Sequence, residues 1–428
     1  MDINRKTAYL ILDDIEKDGA FSNLAINHRE KELKPTSPAF VRELVYGVLR
    51  YKYQLDHIWS QLMDRKGRVK RSDKIVLRMG LYQLMYMDSV PDYAAVSETV
   101  LLAKAYCKGR EKFINGILRA YGRRKEELSW PDRDSDLTGY LSVRYSCERW
   151  IVDLWLTQFG EEKTEQMLAA ANTTPRLCIR ANTLKTTPET LQKRLEDEGF
   201  MLTPMESVNE GFFAEGSGLI ASDAYKEGWF SIQDESSMLA VCAVDPQPGE
   251  TVVDLCAAPG GKTLFMAERM KNEGQIFAGD LYLARLELLK AQAERLGVSI
   301  VTPSAWDATI LIPHLQNAAD RVLVDAPCSG LGVIRRKPEI KYRPEDDERR
   351  QLPEIQKKIL DNACQYVKEG GILVYSTCTV NLEENAWVTQ AFLERHPEFE
   401  RIEEQQMYLG AQEGDGFYIC KMKRKQPC

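Results

Sequence analysis

The sequence predicts a multidomain protein in which an all-α domain is followed by a small α+β module and an α/β domain with a buried parallel sheet. Three observations support this fold class. The chain has 428 residues, more than one ordinary hydrophobic core serves, which suggests two or three domains. Residues 1 to about 130 repeat apolar side chains at three- and four-residue spacing. From about residue 236 onward, apolar strands alternate with helices.

The all-α domain is expected over residues 1–135. Stretches such as PAFVRELVYGVLRYKYQLDHIWSQLM and YAAVSETVLLAKAY have helical periodicity, and the linker SWPDRDSDLTG at 129–139 ends this region. The α+β module is expected over 136–235. Its alternating strand RLCIRANTLK precedes an amphipathic helix, TPETLQKRLEDEGF, and further short strands.

The α/β domain is expected over residues 236–428. Its apolar strands end in Asp or Cys, which is typical of a buried parallel sheet whose reactive groups lie at the carboxyl ends of the strands. The predicted strands cover residues 251–256, 275–280, 299–308, 321–327 and 371–378.

The composition indicates a cytoplasmic globular protein that has no membrane segment. Hydrophobic residues make up 44% of the chain and charged residues 28%, and no apolar run reaches the ~20 residues that span a bilayer. Ten cysteines are scattered without a C-x-x-C pair, and the chain has four histidines. This pattern argues against a zinc site and a disulfide framework, so we expect no metal and reduced thiols. We also expect a monomer.

Basic residues cluster in two segments although the net charge is −7. Residues 104–125 contain eight Lys or Arg and one acidic residue, and residues 65–78 contain seven Lys or Arg and one acidic residue. Such clusters fit a face that follows nucleic-acid phosphates. An ordinary solvated helix surface explains either cluster equally well.

A glycine-bearing loop, DLCAAPGGKT at 254–263, joins a predicted strand to a predicted helix. Gly260 and Gly261 let the backbone approach a ligand, and the helix that follows offers unpaired amide groups. A phosphate loop requires glycine five positions before Gly261, where this chain has Cys256. The G-x-G-x-x-G dinucleotide fingerprint is also absent from the loop.

Acidic residues at the ends of the following strands indicate which ligand the loop holds. Asp280 is placed to accept hydrogen bonds from a ribose, Asp307 to accept them from an exocyclic amine, and Asp325 ends a further strand. A ligand that combines a ribose, an adenine and a cationic amino group but lacks phosphate suits these carboxylates, and S-adenosylmethionine is such a ligand. Asp280 and Asp307 are as readily explained as helix caps or turn residues.

Two cysteines follow predicted strands at the same edge, in DAPCSG at 325–330 and YSTCTVNLEEN at 375–385. Cys328 and Cys378 are each explicable as packed small hydrophobes. Two thiols beside a methyl-donor site also suit covalent catalysis on a pyrimidine, in which thiolate addition to carbon 6 activates carbon 5. Asp325 is a candidate to share a proton with ring nitrogen 3. Lys262, or a helix beginning near Leu382, is expected to stabilise the thiolate.

Together, DLCAAPGGKT, DAPCSGLGVIRRKPEIK and YSTCTVNLEENAWV resemble the RNA cytosine-5 methyltransferase (NOL1/NOP2/Sun) family, and RELVYGVLR and FINGILR in the first third extend the resemblance to its Sun/Fmu branch. The resemblance implies carbon-5 methylation of a cytosine in 16S ribosomal RNA. It also implies a NusB-like first domain, an RRM-like RNA-binding module and a Rossmann-like methyltransferase domain.

The resemblance also assigns roles to residues. Cys378 would attack the base, a role that spacing alone does not assign to one thiol, and Cys328 would assist release of the methylated RNA. The residues expected to contact S-adenosylmethionine are Cys256, Ala257, Ala258, Pro259, Gly260, Gly261, Lys262, Asp280, Asp307 and Asp325.

Several basic residues are candidates for RNA contact. The segment after the Cys328 motif carries five of them, and we expect it to hold the RNA backbone while the base is exposed: Arg335, Arg336, Lys337, Lys341 and Arg343. Arg180 and Asn182 in the α+β module are weaker candidates.

Two other functions are compatible with parts of the sequence. One is a non-catalytic RNA-binding or antitermination protein whose helical domain is the functional part. The other is a nucleoside-triphosphate-dependent enzyme that uses APGGKT as a phosphate loop.

Overall fold

A computed structural model describes residues 1–63, 67–216, 218–411 and 414–426. The chain divides into two compact units. The helical unit comprises Met1–Thr173 and Ile334–Pro344, and the sheet unit comprises Thr174–Val333 and Glu345–Cys428. The boundaries predicted after residues 135 and 235 stay a prediction.

The helical unit is built from amphipathic helices whose apolar faces meet in one core. Leu44, Val45, Leu77 and Leu118 are fully buried there. The Ser37 side chain accepts a hydrogen bond from the Phe40 amide and so caps a helix that starts at a proline. The helices are α1 (Ile3–Asp18), α2 (Ser22–Leu33), α3 (Pro38–Arg50), α4 (Lys52–Gln61), α5 (Arg71–Tyr86), α6 (Asp92–Tyr106), α7 (Glu111–Arg124), α8 (Leu137–Tyr145), α9 (Arg149–Phe159) and α10 (Glu161–Ala171).

A small antiparallel sheet opens the sheet unit, with the strand order β2-β3-β1-β4. Its strands are β1 (Leu177–Ala181), β2 (Met201–Pro204), β3 (Gly211–Glu215) and β4 (Phe230–Ile232). Helices α11 (Pro188–Asp197) and α12 (Asp223–Lys226) accompany it. This confirms the predicted α+β module.

The prediction that Arg180 and Asn182 contact RNA is wrong, because both side chains are fully buried. The Arg180 guanidinium forms a 2.7 Å ion pair with Glu268, which is also fully buried. The Asn182 amide donates to the carbonyl oxygens of Gly228 and Leu296, at 2.8 Å each. Both residues therefore hold the interior of the sheet unit together.

The larger sheet carries the predicted α/β pattern and has seven strands among the described residues, in the order β10-β11-β9-β8-β5-β6-β7. Strands β5 to β9 pair in parallel, whereas β11 pairs antiparallel with β9 and β10. The sheet is therefore mixed, and β10 and β11 are strands that the sequence did not predict. Its strands are β5 (Thr251–Asp254), β6 (Gln275–Asp280), β7 (Val301–Ala305), β8 (Ala319–Asp325), β9 (Val367–Thr377), β10 (Phe399–Met407) and β11 (Phe417–Arg424).

Helices connect these strands and cover the sheet. They are α13 (Glu235–Val244), α14 (Gly261–Arg269), α15 (Leu283–Leu296), α16 (Asp347–Arg350), α17 (Leu352–Ala363) and α18 (Ala386–Arg395). The strand order runs outward in opposite directions from the neighbours β5 and β8, and such a switch point leaves a crevice at the carboxyl ends of the strands. In the described part of the chain, no helix is both long and apolar enough to cross a membrane.

Candidate active site

The two cysteines singled out in the sequence meet at the edge of the larger sheet. Strands β8 and β9 are parallel neighbours with Asp325 opposite Ser376, so the loops that follow them emerge side by side. The sulfur atoms of Cys328 and Cys378 lie 3.3 Å apart. Because a disulfide bond measures about 2.05 Å, the two thiols are in contact without being bonded. The Gly332 amide also donates to the Cys378 carbonyl oxygen at 3.0 Å, which joins the two loops.

A lysine–aspartate pair lies next to these thiols. The Lys262 ammonium donates to Asp325 at 2.7 Å, and the Ser376 hydroxyl donates to the other oxygen of that carboxylate at 2.8 Å. Burial by itself would lower the pKa of Lys262, but the charge and hydrogen bond of Asp325 and the proximity of Cys378 outweigh it and raise that pKa. Lys262 is therefore a fixed cation that acts on both Asp325 and Cys378.

The glycine-bearing loop positions Lys262 in the first turn of α14. Gly260 has a φ of +109°, and a β-carbon there would lie 2.9 Å from the Leu289 side chain, so this position requires glycine. The Thr263 hydroxyl donates to the Asp254 carboxylate at 2.7 Å and ties the helix to the end of β5. Burial raises the pKa of Asp254 to about 7. The sequence pattern predicted no role for Asp254.

Three carboxylates converge on the loop. Burial raises the pKa of the Cys256 thiol well above its usual value, and Asp254, Asp325 and Asp280 raise it further. Asp254, Asp280 and Asp325 are the last residues of the strands β5, β6 and β8, at the edge of the sheet where this loop lies. Asp325 is paired with Lys262 and Asp280 with Arg285, so these carboxylates are held in place. A ligand with sugar hydroxyls and a cationic amine would find acceptors among them, so the residues present fit S-adenosylmethionine.

Asp280 and Asp307 also take part in turns, which was the other explanation of these residues. One Asp280 oxygen accepts from the Tyr282 amide at 3.0 Å, and one Asp307 oxygen accepts from the Thr309 amide at 2.9 Å. The sequence predicted that Asp307 lies at the end of a strand. Strand β7 instead ends at Ala305, two residues before Asp307. Glycine at 279 leaves room for the Trp306 ring, which a β-carbon would overlap. Ligand contact by Asp280 and Asp307 stays a prediction.

The loop after Cys378 differs from its prediction. The helix expected near Leu382 begins at Ala386, with Asn385 at its N-cap, so Cys378 does not lie at a helix N-terminus. Lys262 is therefore the better candidate to stabilise its thiolate. The same loop brings a residue without a predicted role, Glu384, into a buried hydrogen-bond cluster with the Cys328 loop. Its sequence signal was an acidic residue six positions after the thiol, which does not indicate burial.

The basic segment after the Cys328 motif belongs to the helical unit, and its prediction as an RNA-binding loop is wrong for two of its residues. Lys341 is fully buried and Arg335 is 6% exposed. The Lys341 ammonium donates to the carbonyl oxygens of Arg50 and Tyr145 and to the side chain of Asn172, at 2.6 to 3.1 Å. Burial lowers its pKa to about 7. RNA contact by the half-buried Arg336, Lys337 and Arg343 stays a prediction.

The two basic clusters of the helical unit differ in exposure. In the segment 65–78, Arg78 is buried and paired with Asp56 and Glu16, and residues 65 and 66 lie outside the described residues. In the segment 104–125, six cations are exposed: Lys104, Lys108, Lys112, Arg119, Arg123 and Lys125. Three of them line a groove of about 770 Å³ with Tyr93 between α6 and α7. The second cluster therefore offers a cationic surface, and the first is partly structural.

Within the described residues, no group of three or more His, Cys, Asp or Glu side chains is placed to hold a metal ion.

Family models match most of the chain. The model described as 16S rRNA methyltransferase RsmB/F matches residues 241–423, the NusB family model matches residues 2–123, and an RsmF/B-like ferredoxin-like domain model matches residues 148–218.

Similar proteins were found among relatives and solved structures. The probable ribosomal RNA small subunit methyltransferase B of Bacillus subtilis is 37% identical, with 98% of each chain covered. The crystal structure of a protein designated PH0851 is 26% identical with a TM-score of 0.81 and covers 98% of each chain. A methyltransferase homologue from Pyrococcus horikoshii is 31% identical with a TM-score of 0.60, covering 66% of this chain and 97% of its own.

Proposed function

The chain belongs to the RsmB/F family of 16S rRNA methyltransferases, and we propose that it methylates carbon 5 of a cytosine in 16S ribosomal RNA through a covalent cysteine–cytosine adduct. One observation carries this proposal. The thiols of Cys328 and Cys378 are in contact beside a Lys262–Asp325 pair, at the carboxyl ends of neighbouring parallel strands. Two thiols serve this reaction because one must bond to the base and the bond must afterwards be broken.

The chemistry begins at Cys378. Addition of its thiolate to carbon 6 consumes the 5,6 double bond of the ring and leaves carbon 5 electron-rich, with negative charge spread toward nitrogen 3. The Lys262–Asp325 pair can meet that charge with a proton, since Lys262 carries one against the carboxylate. After carbon 5 has been methylated, it loses its proton to water, the 5,6 double bond re-forms and the bond from carbon 6 to the Cys378 sulfur breaks, which releases the thiolate. Nitrogen 3 then returns its proton to the Lys262–Asp325 pair.

The surroundings of the two thiols support different roles for them. Lys262 and Cys378 interact electrostatically, which favours the charged form of Cys378. The hydrogen bond with Cys378 raises the pKa of Cys328 well above its usual value, and burial and Glu384 add to this effect. A charged Cys378 is suited to attack, and a protonated Cys328 is suited to assist release.

S-adenosylmethionine, when bound, supplies an electrophilic methyl group on a sulfonium. Its contacts would come from the loop 256–262 and from Asp280, Asp307 and Asp325. The neighbouring carboxylates provide the acceptors that its sugar and amino groups need, and the glycine at 260 keeps the loop backbone open to a ligand.

We propose that ribosomal RNA is the partner of this protein. We also propose that the protein acts as a monomer. The exposed cations of the segment 104–125 and the ferredoxin-like module are the surfaces proposed to hold it. The negative total charge makes a localised cationic face more important, because phosphates are attracted by the local potential.

Bisulfite sequencing of total RNA from cells with and without the protein tests the proposal. We expect one or more 16S rRNA cytosines to lose protection from conversion when the protein is absent. Unchanged protection at every cytosine would contradict the proposal. A thermal-shift titration tests the ligand separately: S-adenosylmethionine should raise the Tm and ATP should not. Stabilisation by ATP alone would favour the phosphate-loop function.

A further inference from the structure

Glu384 is a buried carboxylate that receives hydrogen bonds from both thiol loops. It is 2% exposed. From the Cys328 loop, the Ser329 amide donates to it at 2.8 Å and the Ser329 hydroxyl at 2.5 Å. From the Cys378 loop, the Asn381 amide group donates at 3.1 Å. One carboxylate thus bonds to the residue directly after one thiol and to a residue three positions after the other.

Helix α17 supports the same carboxylate. The Gln356 side chain donates both to Glu384, at 3.1 Å, and to the Pro327 carbonyl oxygen, at 2.9 Å. Gln356 is fully buried, so these bonds are shielded from water. The Ser329 hydroxyl also contacts the Thr379 hydroxyl at 2.7 Å, which adds a direct bond between the residues that follow the two cysteines.

We propose that Glu384 is a positioning residue whose buried carboxylate ties the Cys328 loop to the Cys378 loop and holds the two sulfur atoms in contact. Its importance for catalysis rests on the proposed function. Charge-assisted hydrogen bonds are about twice as strong as neutral ones, so a carboxylate fixes this separation better than an amide in its place would. An amide would also turn an NH₂ group toward some of these donors.

Glu384 also acts electrostatically. Cys378 and burial have the largest effects in raising the pKa of Cys328, and the negative charge of Glu384 raises it further. Among the described residues, the titratable groups near Cys328 and Glu384 include Cys378, Lys262, Asp325 and Tyr375. The Tyr375 hydroxyl donates to the Glu384 carbonyl oxygen. The cation acts on the Cys378 side and the carboxylate on the Cys328 side.

Phenylarsine oxide tests the separation of the thiols without RNA or a methyl donor. This trivalent arsenical bonds to two adjacent thiols at once and releases one water molecule. We expect the wild-type protein to bind it, and Cys328→Ser and Cys378→Ser to lose that binding. Glu384→Gln should weaken it at least about tenfold, since the loops lose charge-assisted hydrogen bonds. Glu383→Gln is the matched control, because the Glu383 carboxylate is next in sequence to Glu384 but is exposed. This variant should bind the arsenical as the wild-type protein does.

Alkylation of Cys328 supplies a second measurement that a purely structural role would not change. With iodoacetamide and peptide-level mass spectrometry, Glu384→Gln should shift the pH profile of Cys328 labelling toward lower pH, and Glu383→Gln should leave it unchanged. If Glu384→Gln does not fold, Ser329→Ala removes one bond to the carboxylate and should give a smaller loss of arsenical affinity.

Arsenical affinity and labelling like those of wild type in Glu384→Gln would overturn the proposal. These measurements need no methyl transfer, so they separate the positioning role from the proposed function. A wild-type protein that binds the arsenical but methylates no RNA would contradict the function and leave the positioning of the thiols standing.

Discussion

Lys262 of the sheet unit and Lys341 of the helical unit are both largely buried, yet their neighbours differ. Lys262 donates to a carboxylate, that of Asp325, and the charges around it raise its pKa. Lys341 donates to three neutral oxygens, and burial lowers its pKa to about 7. The sequence presents both as basic residues near a thiol motif. Their different partners make Lys262 a protonated group beside the reacting groups and Lys341 a packing group of the helical unit.

The largest expected effect is on catalysis by a Lys262→Met variant. Removing the cation leaves the Asp325 carboxylate without its charged donor and Cys378 without a nearby positive charge. We expect the rate of methyl transfer to 16S rRNA to fall by about 10² to 10³, the usual loss when one electrostatic donor is removed from an active site. Lys290→Met on the exposed face of α15 is the control. If Lys262→Met transfers methyl groups as fast as Lys290→Met, Lys262 has no catalytic role, and it does not differ from Lys341 in this respect.

Lys341→Met should act on stability. Three buried acceptors would lose their donor, so the free energy of unfolding of the helical unit should fall by about 3 kcal/mol. Amide hydrogen exchange in α3 measures this locally, because Arg50 supplies one acceptor at the end of that helix. Lys108→Met, at an exposed position, should leave the exchange unchanged. Unchanged α3 exchange in Lys341→Met would show that the ammonium is dispensable.

The pH dependence of the free energy of unfolding tests whether burial lowers the pKa of Lys341. The pKa of Lys341 is about 7 in the folded chain and 10.5 in its ordinary state, so between these values the unfolded chain binds more protons. Its contribution to stability must therefore rise with pH from about 7 to 10.5, by up to about 1.4 kcal/mol per pH unit. The stability gap between wild type and Lys341→Met should widen over this range. A gap that is constant with pH would mean that Lys341 is charged throughout.

The exposed cations of the segment 104–125 differ from both buried lysines, and replacing one of them should have the smallest effect. Arg119→Ala on α7 should weaken binding of a 16S rRNA fragment severalfold and reduce the slope of log affinity against log salt by about one, as for a single phosphate contact. Lys290→Ala is the control for charge alone. Identical salt slopes for Arg119→Ala and wild type would remove α7 from the RNA-binding surface.

The sequence predicted the elements on which the site is built because local pattern determines them. Apolar strands followed by polar loops predicted β5, β6, β8 and β9, and parallel pairing alone brings the ends of such strands to one edge. The helical first third followed from its periodicity. The alternation of apolar and polar residues did not reveal β10, since six consecutive residues of that strand are exposed and most of them are charged. The sequence did not predict β11 either.

Burial of charged residues could not be predicted from the sequence. Arg180, Lys341 and Glu384 are each polar in type, and each has a partner that favours its burial at least 55 positions away along the chain. Composition and spacing describe near neighbours, so these side chains were assigned to the surface or given no role. The same reason explains why the sequence placed two thiols at one edge but could not place their sulfur atoms in contact.

The most direct test of the central claim is the mass of the protein–RNA species formed by two variants with S-adenosylmethionine and 16S rRNA. Cys328→Ala should accumulate a covalent adduct that survives denaturation, because Cys378 can still attack and release is impaired. Cys378→Ala should form none. An adduct with Cys378→Ala but not with Cys328→Ala would exchange the roles of the two thiols, and no adduct with either variant would contradict the covalent mechanism.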